Sequence, residues 1–249
     1  MTPYGEATSV MSGLLAGRKA LVTGGTRGIG TAISARLVAD GATVTVTGRR
    51  MEAETPEGCA YRAVDFADRV AVEHFAEEVE NLDFDILVNN AGINKIGPFD
   101  RVAIDDFDLI QQVNIRAPFL LCQAVLPGMR ERKWGRIVNI SSIFGKISKE
   151  LRASYSASKF ALDGMTVALA AEVAKDGILV NCVAPGFIHT EMTRTILGET
   201  GMTEIATSVP MKRLGEPQEV AAFVAWLVSP ENTYLTGQNI AIDGGFSRV

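Results

Sequence analysis

Short apolar runs alternate with longer stretches of helical spacing along the chain. Lys19 to Thr23 (KALVT) is largely apolar and ends in glycine-rich sequence. From Ile29 to Ala39, apolar side chains recur at Ile33, Leu37 and Val38, spaced for one face of a helix. The alternation repeats. Thr43 to Thr47, Cys59 to Val64, Ile86 to Asn89, Arg136 to Ser141, Leu179 to Val183 and Asn239 to Ile242 read as further strands. Arg69 to Glu80, Asp105 to Glu131, Ser154 to Lys175 and Glu216 to Leu227 read as helices. Strands separated by helices call for right-handed crossovers and a parallel sheet, so the pattern predicts a doubly wound α/β fold. Residues 187–212 break the rhythm: their periodicity is weak, and they are expected to form a mobile substrate loop over a site.

Composition narrows what this fold serves. With 249 residues, 47% hydrophobic and 21% charged, the chain can bury one sizeable core. No linker, low-complexity tract or internal repeat divides it. A single domain over 17–249 is expected, behind a flexible tail at 1–16 in which Met11 offers a second start. The 24 Lys plus Arg against 29 Asp plus Glu leave a net charge of -5 without a basic tract, which argues against nucleic acid and anionic membrane as partners. The longest apolar run, Val220 to Val228, is far too short to span a bilayer. No secretory signal is visible before Arg18, and Cys59, Cys122 and Cys182 are odd in number and far apart. Buried free thiols in a reducing cytoplasm are therefore expected, with small molecules as the remaining partners.

The glycine-rich stretch Thr23 to Gly30 (TGGTRGIG) places Gly24, Gly28 and Gly30 at a strand-to-helix turn, where backbone N–H groups can approach a diphosphate. Its G-x-x-x-G-x-G spacing departs from G-x-G-x-x-G, and a tight connection is the competing reading. At the end of the second strand, an acidic residue would bond a ribose diol, but Gly48 stands there. Arg49 and Arg50 follow it and Arg27 lies in the loop, so three guanidiniums can surround a 2′-phosphate. This favours NADP(H) over NAD(H). The alternative is that these arginines are solvated surface charges and that Glu52 or Glu54 reaches back to the ribose.

Tyr155 and Lys159 in YSASK lie one helical turn apart, where an ammonium can lower the tyrosine pKa. A tyrosine beside a snorkelling lysine is the structural alternative. Ser142 follows the RIVNIS strand, at the edge of the sheet where ligands bind, and can polarise a carbonyl oxygen or cap a turn. Neighbouring Ser141 competes for either job. Asn89, Asn90, Ala91 and Gly92 end the fourth strand in the same layer. Asn114, in an otherwise apolar helix, is either a structural bridge or part of a proton path. Lys146, Lys149 and Arg152 either meet an anionic carrier or form an ordinary solvated edge, the preferred reading. His74 and His189 are the only histidines, so no metal site is expected.

In order and spacing, TGGTRGIG, NNAG at Asn89 to Gly92, Asn114, Ser142, Tyr155 with Lys159, PGFIHT at Pro185 to Thr190 and DGG at Asp243 to Gly245 resemble the classical short-chain dehydrogenase/reductase family. The resemblance covers about residue 17 to the C-terminus. It implies a Rossmann-type doubly wound parallel sheet in three α/β/α layers, and hydride transfer between NADP(H) and a carbonyl or alcohol. It makes Tyr155 the acid, Ser142 the hydroxyl on the substrate oxygen, Lys159 the group that tunes Tyr155 and bonds the nicotinamide ribose, and Asn114 the holder of a water leading to Lys159. By the same resemblance the cofactor site includes Tyr155 and Lys159 themselves and runs through Gly24, Thr26, Arg27, Gly28, Ile29, Gly30, Arg49 and Arg50. It continues through Asp65 and Phe66 on the adenine side, Asn90, Ala91 and Gly92, and Pro185, Gly186, Ile188 and Thr190 beside the nicotinamide. Phe144, Phe187 and Met192, with Ile143, fall near the substrate or pack beneath the loop.

The stretches NCVAPGFIHTEMT and MKRLGEPQEVA are most similar to 3-oxoacyl-[acyl-carrier-protein] reductases. The implied activity is NADPH-dependent reduction of a small-molecule or carrier-bound ketone. An NAD(P)-dependent secondary-alcohol dehydrogenase of sugar, steroid or polyketide metabolism is the second reading. A nucleotide-sensing protein without turnover is the third, and the complete set Asn114, Ser142, Tyr155 and Lys159 argues against it. The resemblance also implies a homotetramer.

Overall fold

The computed structural model describes residues 13–249. Seven strands form one sheet: β1 Lys19–Val22, β2 Thr43–Gly48, β3 Cys59–Ala63, β4 Ile86–Asn89, β5 Gly135–Ile140, β6 Ile178–Pro185 and β7 Asn239–Ile242. Their order is β3-β2-β1-β4-β5-β6-β7, and all neighbours are parallel. The helices are α1 Gly28–Ala39, α2 Arg69–Glu80, α3 Ile104–Gln111, α4 Ala117–Glu131, α5 Ala153–Val173, α6 Glu191–Ser208 and α7 Pro217–Val228. All seven predicted strands form, with ends shifted by a residue or two.

The pleat sorts alternate residues to opposite faces. Ala20, Val22, Ile86, Val88, Val138 and Ile140 join the core with α1 and α7, whereas Leu21, Leu87, Ile137 and Val180 join the one with α2, α4 and α5. Helices on both faces bury β4, β5 and β6 at every residue, which explains why these runs lack a regular apolar-polar alternation. The strand order reverses between β1 and β4, and their carboxyl ends open a crevice there.

Four features differ from the sequence expectation. The single helix predicted over Asp105 to Glu131 is α3, a π turn at Gln112–Arg116, and α4. The loop expected at 187–212 is largely α6, interrupted at Gly198 with φ 66° and ψ 175°. Met202 is its one buried side chain, too little burial to imprint an apolar stripe. Leu15 is fully buried and its N–H donates to the Asp40 carbonyl at 2.8 Å, so the ordered chain starts before residue 17. Residues 1–12 of the expected tail, Met11 included, lie outside the described residues. Cys122 and Cys182 are buried free thiols, but Cys59 is only partly buried. Among the described residues no helix is long and apolar enough to cross a membrane.

Candidate active site

The crevice is a cavity of about 640 Å³. The residues expected to touch cofactor or substrate lie on its wall except Ile143, which is buried in the core, and Asn114 stands behind the wall. The β1–α1 loop closes one end. Gly24 and Gly28 take positive φ, 65° and 56°. At Gly30 a Cβ would lie 2.3 Å from the Gly24 carbonyl oxygen and 2.5 Å from Asn90 Nδ2, so only hydrogen fits. Asn90 Nδ2 donates to the carbonyls of Thr23 (2.9 Å) and Gly24 (3.1 Å), while Thr23 Oγ1 accepts the N–H groups of Asn90 and Ala91, both at 2.9 Å. Asn90 is thus the tie that holds the loop against the end of β4. The N-terminus of α1 has no side-chain cap and no acidic residue in its first turn, which leaves its N–H groups and positive dipole end for an anion.

Beside this loop, a Cβ at Gly48 would fall 2.9 Å from both Thr26 Cγ2 and Tyr61 Oη, so a side chain at the position that would carry a ribose-binding carboxylate would have to displace those two side chains. Tyr61 Oη donates to the Arg50 carbonyl and holds the turn. Arg27, Arg49 and Arg50 are on the wall and solvent-accessible, Arg27 meeting Glu191 at 3.3 Å in an exposed pair. Ala53 is on the wall and Glu52 and Glu54 are not, which removes support for a carboxylate reaching back. Asp65 Oδ1 accepts the Ala67 N–H at 3.0 Å, and the Phe66 ring packs edge-on against Phe75 in the core.

At the centre, the two serines after β5 divide their tasks. Ser141 Oγ donates to the Lys159 carbonyl at 3.2 Å and is spent. Ser142 Oγ accepts the Phe144 N–H at 3.2 Å, capping a short 3-10 turn while its own hydrogen stays available to a ligand. Lys159 is 4% exposed, and its Nζ donates to the Ile140 carbonyl at 2.8 Å. Burial lowers its pKa to about 8. Burial raises the Tyr155 phenol above its ordinary value, with Ser142 and Arg152 pulling the other way. The lowering of Tyr155 expected from Lys159 finds no support in this geometry: the ammonium faces Ile140, 5.6 Å from the Tyr155 ring centroid, and desolvation dominates.

Asn114 sits in the π turn, whose extra residue turns its amide inward. Its Oδ1 accepts the Ile93 N–H at 2.9 Å, and its Nδ2 donates to the Ile93 carbonyl and to Ser158 Oγ, both at 3.0 Å. The amide joins the segment after β4 to α5. Gly92 lies between Asn114 and Lys159: a Cβ there would be 3.4 Å from Asn114 Oδ1 and 3.6 Å from Lys159 Nζ.

The other end is aromatic and apolar. Phe187 meets Phe144 edge-on at 6.3 Å and Phe246 at 5.1 Å, and α6 contributes Met192, Ile196 and Leu197. The sequence reading missed Ile196, Leu197 and Phe246; the i,i+4 spacing of Met192 and Ile196 was the available signal. It also misplaced Arg152. Lys146 and Lys149 are the solvated edge expected, but Arg152 is 5% exposed, on the cavity wall, with its guanidinium 5.4 Å from the Phe144 ring centroid. The chain reverses at Leu151, φ 64°, directly before it. Among the described residues no group of three or more His, Cys, Asp or Glu side chains could hold a metal ion.

Residues 24–247 match a family model described as enoyl-(acyl carrier protein) reductase. The 3-oxoacyl-[acyl-carrier-protein] reductase FabG of Aquifex aeolicus is 40% identical over 93% of this chain and 98% of its own length. An acetoacetyl-CoA reductase of Shinella zoogloeoides is 42% identical over 92% of this chain and 98% of its own. Among solved structures, a gluconate 5-dehydrogenase from Burkholderia cenocepacia in complex with NADP and tartrate superposes with a TM-score of 0.88 at 30% identity, covering 97% of this chain and all of the other.

Proposed function

The chain belongs to the short-chain dehydrogenase/reductase family of NAD(P)-dependent oxidoreductases, and from that premise we propose that it reduces a ketone with NADPH. One observation carries the reading: Ser142, Tyr155 and Lys159 converge on a single cavity whose far end joins an uncapped helix N-terminus to three arginines. The glycine loop fits a diphosphate, since at Gly30 a Cβ would collide with the Gly24 carbonyl. N–H groups of α1 would hold that diphosphate, and Arg27, Arg49 and Arg50 a 2′-phosphate, while the crowded Gly48 offers no carboxylate to an unphosphorylated ribose. Asp65 and the Phe66 backbone would border the adenine, and Pro185, Gly186, Ile188 and Thr190 the nicotinamide. The bound cofactor supplies a hydride.

The protein's own residues handle the oxygen. Ser142 donates its free hydrogen to the ketone oxygen and so polarises the carbonyl. Tyr155, a phenol whose burial raises its pKa further above neutrality, transfers its proton to that oxygen as negative charge develops. Lys159, held by Ile140, supplies the nearby positive charge that stabilises the phenolate left behind, and Asn114 fixes the neighbouring backbone. A hydroxyl pair aimed at one oxygen suits C=O reduction better than the C=C chemistry in the family model's description.

The named relatives put 3-oxoacyl thioesters and keto sugar acids first among ketones to test. Loss of NADPH absorbance on adding acetoacetyl-CoA, with NADH in parallel, tests the reading. NADPH-selective turnover that disappears in Tyr155→Phe is expected; equal use of NADH, or turnover in the variant, counts against it. Two buried free thiols accord with a reducing cytoplasm. Exposed Phe119 on α4 and Phe160 and Val167 on α5 offer apolar surface for the proposed tetramer, which light scattering would check.

A further inference from the structure

Arg152 lines the cavity and takes no direct part in the proposed proton transfer, beyond pulling the Tyr155 pKa down. Among the described residues its guanidinium forms no ion pair and its buried Nε has no hydrogen-bond partner, and it shares the wall with Tyr155. A buried cation lacking a counter-ion is unfavourable, and it persists where a ligand completes it. Half-buried Asn94 lines the same cavity, and its buried Oδ1 has no partner among the described residues. Resting on the ketone-reductase reading, we propose that the substrate ketone carries a carboxylate within a few bonds of its carbonyl, held by the guanidinium of Arg152 and the amide of Asn94.

The geometry points to a carboxylate close to the reacting centre rather than to a distant phosphate. Arg152 is the N-cap residue of α5 and Tyr155 lies in the first turn, three residues on, and both line the same cavity. The planar fork matches a carboxylate with two parallel hydrogen bonds. Asn94 can turn its NH₂ to the same anion. The Phe144 ring packs beside the guanidinium and keeps the pair dry, which strengthens it. The phosphate of a pantetheine arm lies many bonds from the ketone and would not reach this spot, and the arginines expected at the 2′-phosphate occupy the opposite end of the cavity.

The test compares acetoacetate with methyl acetoacetate and acetoacetyl-CoA under NADPH, in the wild-type protein and in Arg152→Gln and Arg152→Lys. The free acid is expected to exceed the ester in kcat/KM by roughly 10- to 150-fold, the span of a charged hydrogen bond. Arg152→Gln should bring the ratio toward one, with Arg152→Lys in between. Equal rates for acid and ester, or a preference that survives Arg152→Gln, overturn the proposal. A binding arm does not depend on turnover: 3-hydroxybutyrate and gluconate are titrated calorimetrically into the protein saturated with NADP⁺. Binding that is lost in Arg152→Gln supports the carboxylate site, and failure of the wild type to bind either acid overturns it even if esters are reduced. If acids and NADPH bind but no ketone is consumed, the ketone-reductase reading fails while the anion site stands. Retained NADPH binding shows that the variants are folded.

Discussion

The two ends of the cavity are built on different principles. At the cofactor end, backbone meets backbone: Gly30 is pressed against the Gly24 carbonyl, Thr23 and Asn90 lock β1 to β4, and Gly48 leaves room only for Thr26 and Tyr61. At the substrate end, side chains from separate segments meet: Phe144 after β5, Arg152 at the start of α5, Phe187 after β6, and Met192 and Ile196 on the interrupted helix α6. The first arrangement tolerates almost no substitution and suits a ligand of constant shape. The second can be changed residue by residue without disturbing the sheet, and suits a ligand that varies among relatives.

Removing the phenol between the two ends should have the largest effect. Tyr155→Phe is expected to lower ketone reduction about 100- to 10,000-fold, as for loss of a general acid, while NADPH affinity measured by fluorescence stays within a few-fold. Such a result would assign the chemistry to neither end alone. Next, Arg49→Ala combined with Arg50→Ala should weaken NADPH binding about 10- to 100-fold and leave NADH nearly untouched. Equal losses for the two nucleotides would mean that these arginines act on something other than the 2′-phosphate.

A smaller effect is expected from pH. Reduction needs a protonated Tyr155, whose pKa lies above its ordinary value, so the phenol keeps its proton through neutrality. Lys159, lowered to about 8, loses its charge first as pH rises. The kcat for reduction should therefore be flat below about pH 8 and decline above it, whereas the reverse oxidation, which needs the phenolate, should gain with pH. A reduction rate that climbs between pH 8 and 10 would remove Lys159 from the reaction. The smallest change belongs to α6. Gly198 has φ 66° and ψ 175°, a region almost reserved for glycine, and no atom lies within 4 Å of an added Cβ, so Gly198→Ala strains the backbone alone, by about 1–3 kcal/mol. A several-fold rise in KM for the ketone, with unchanged NADPH affinity, would confine α6 to the substrate end.

Legibility in the sequence follows the same division. The strands showed because burial on both faces leaves short runs dominated by apolar side chains, and the glycine loop showed because its turn is made by consecutive residues. Helix α6 did not, because it lies over the cavity with little of itself buried. The π turn was hidden inside an apolar stretch that any helix could contain, although Asn114 marked its position. Arg152 was misread because one arginine among two lysines near a loop has the composition of a surface edge. Its inward path depends on the chain reversal at Leu151.

By itself the sequence determined the alternation of strands and helices, the glycine turn and the one-turn spacing of Tyr155 and Lys159. Each of these depends on residues within a few positions of one another, where period and backbone conformation suffice. Tertiary structure alone decided which serine keeps a free hydroxyl, what crowds Gly48 and where the charge of Arg152 goes. Those outcomes rest on contacts across the chain, Ser141 with Lys159, Gly48 with Tyr61 and Phe144 with Arg152, and contacts of that kind exist only once the sheet has brought its carboxyl ends together.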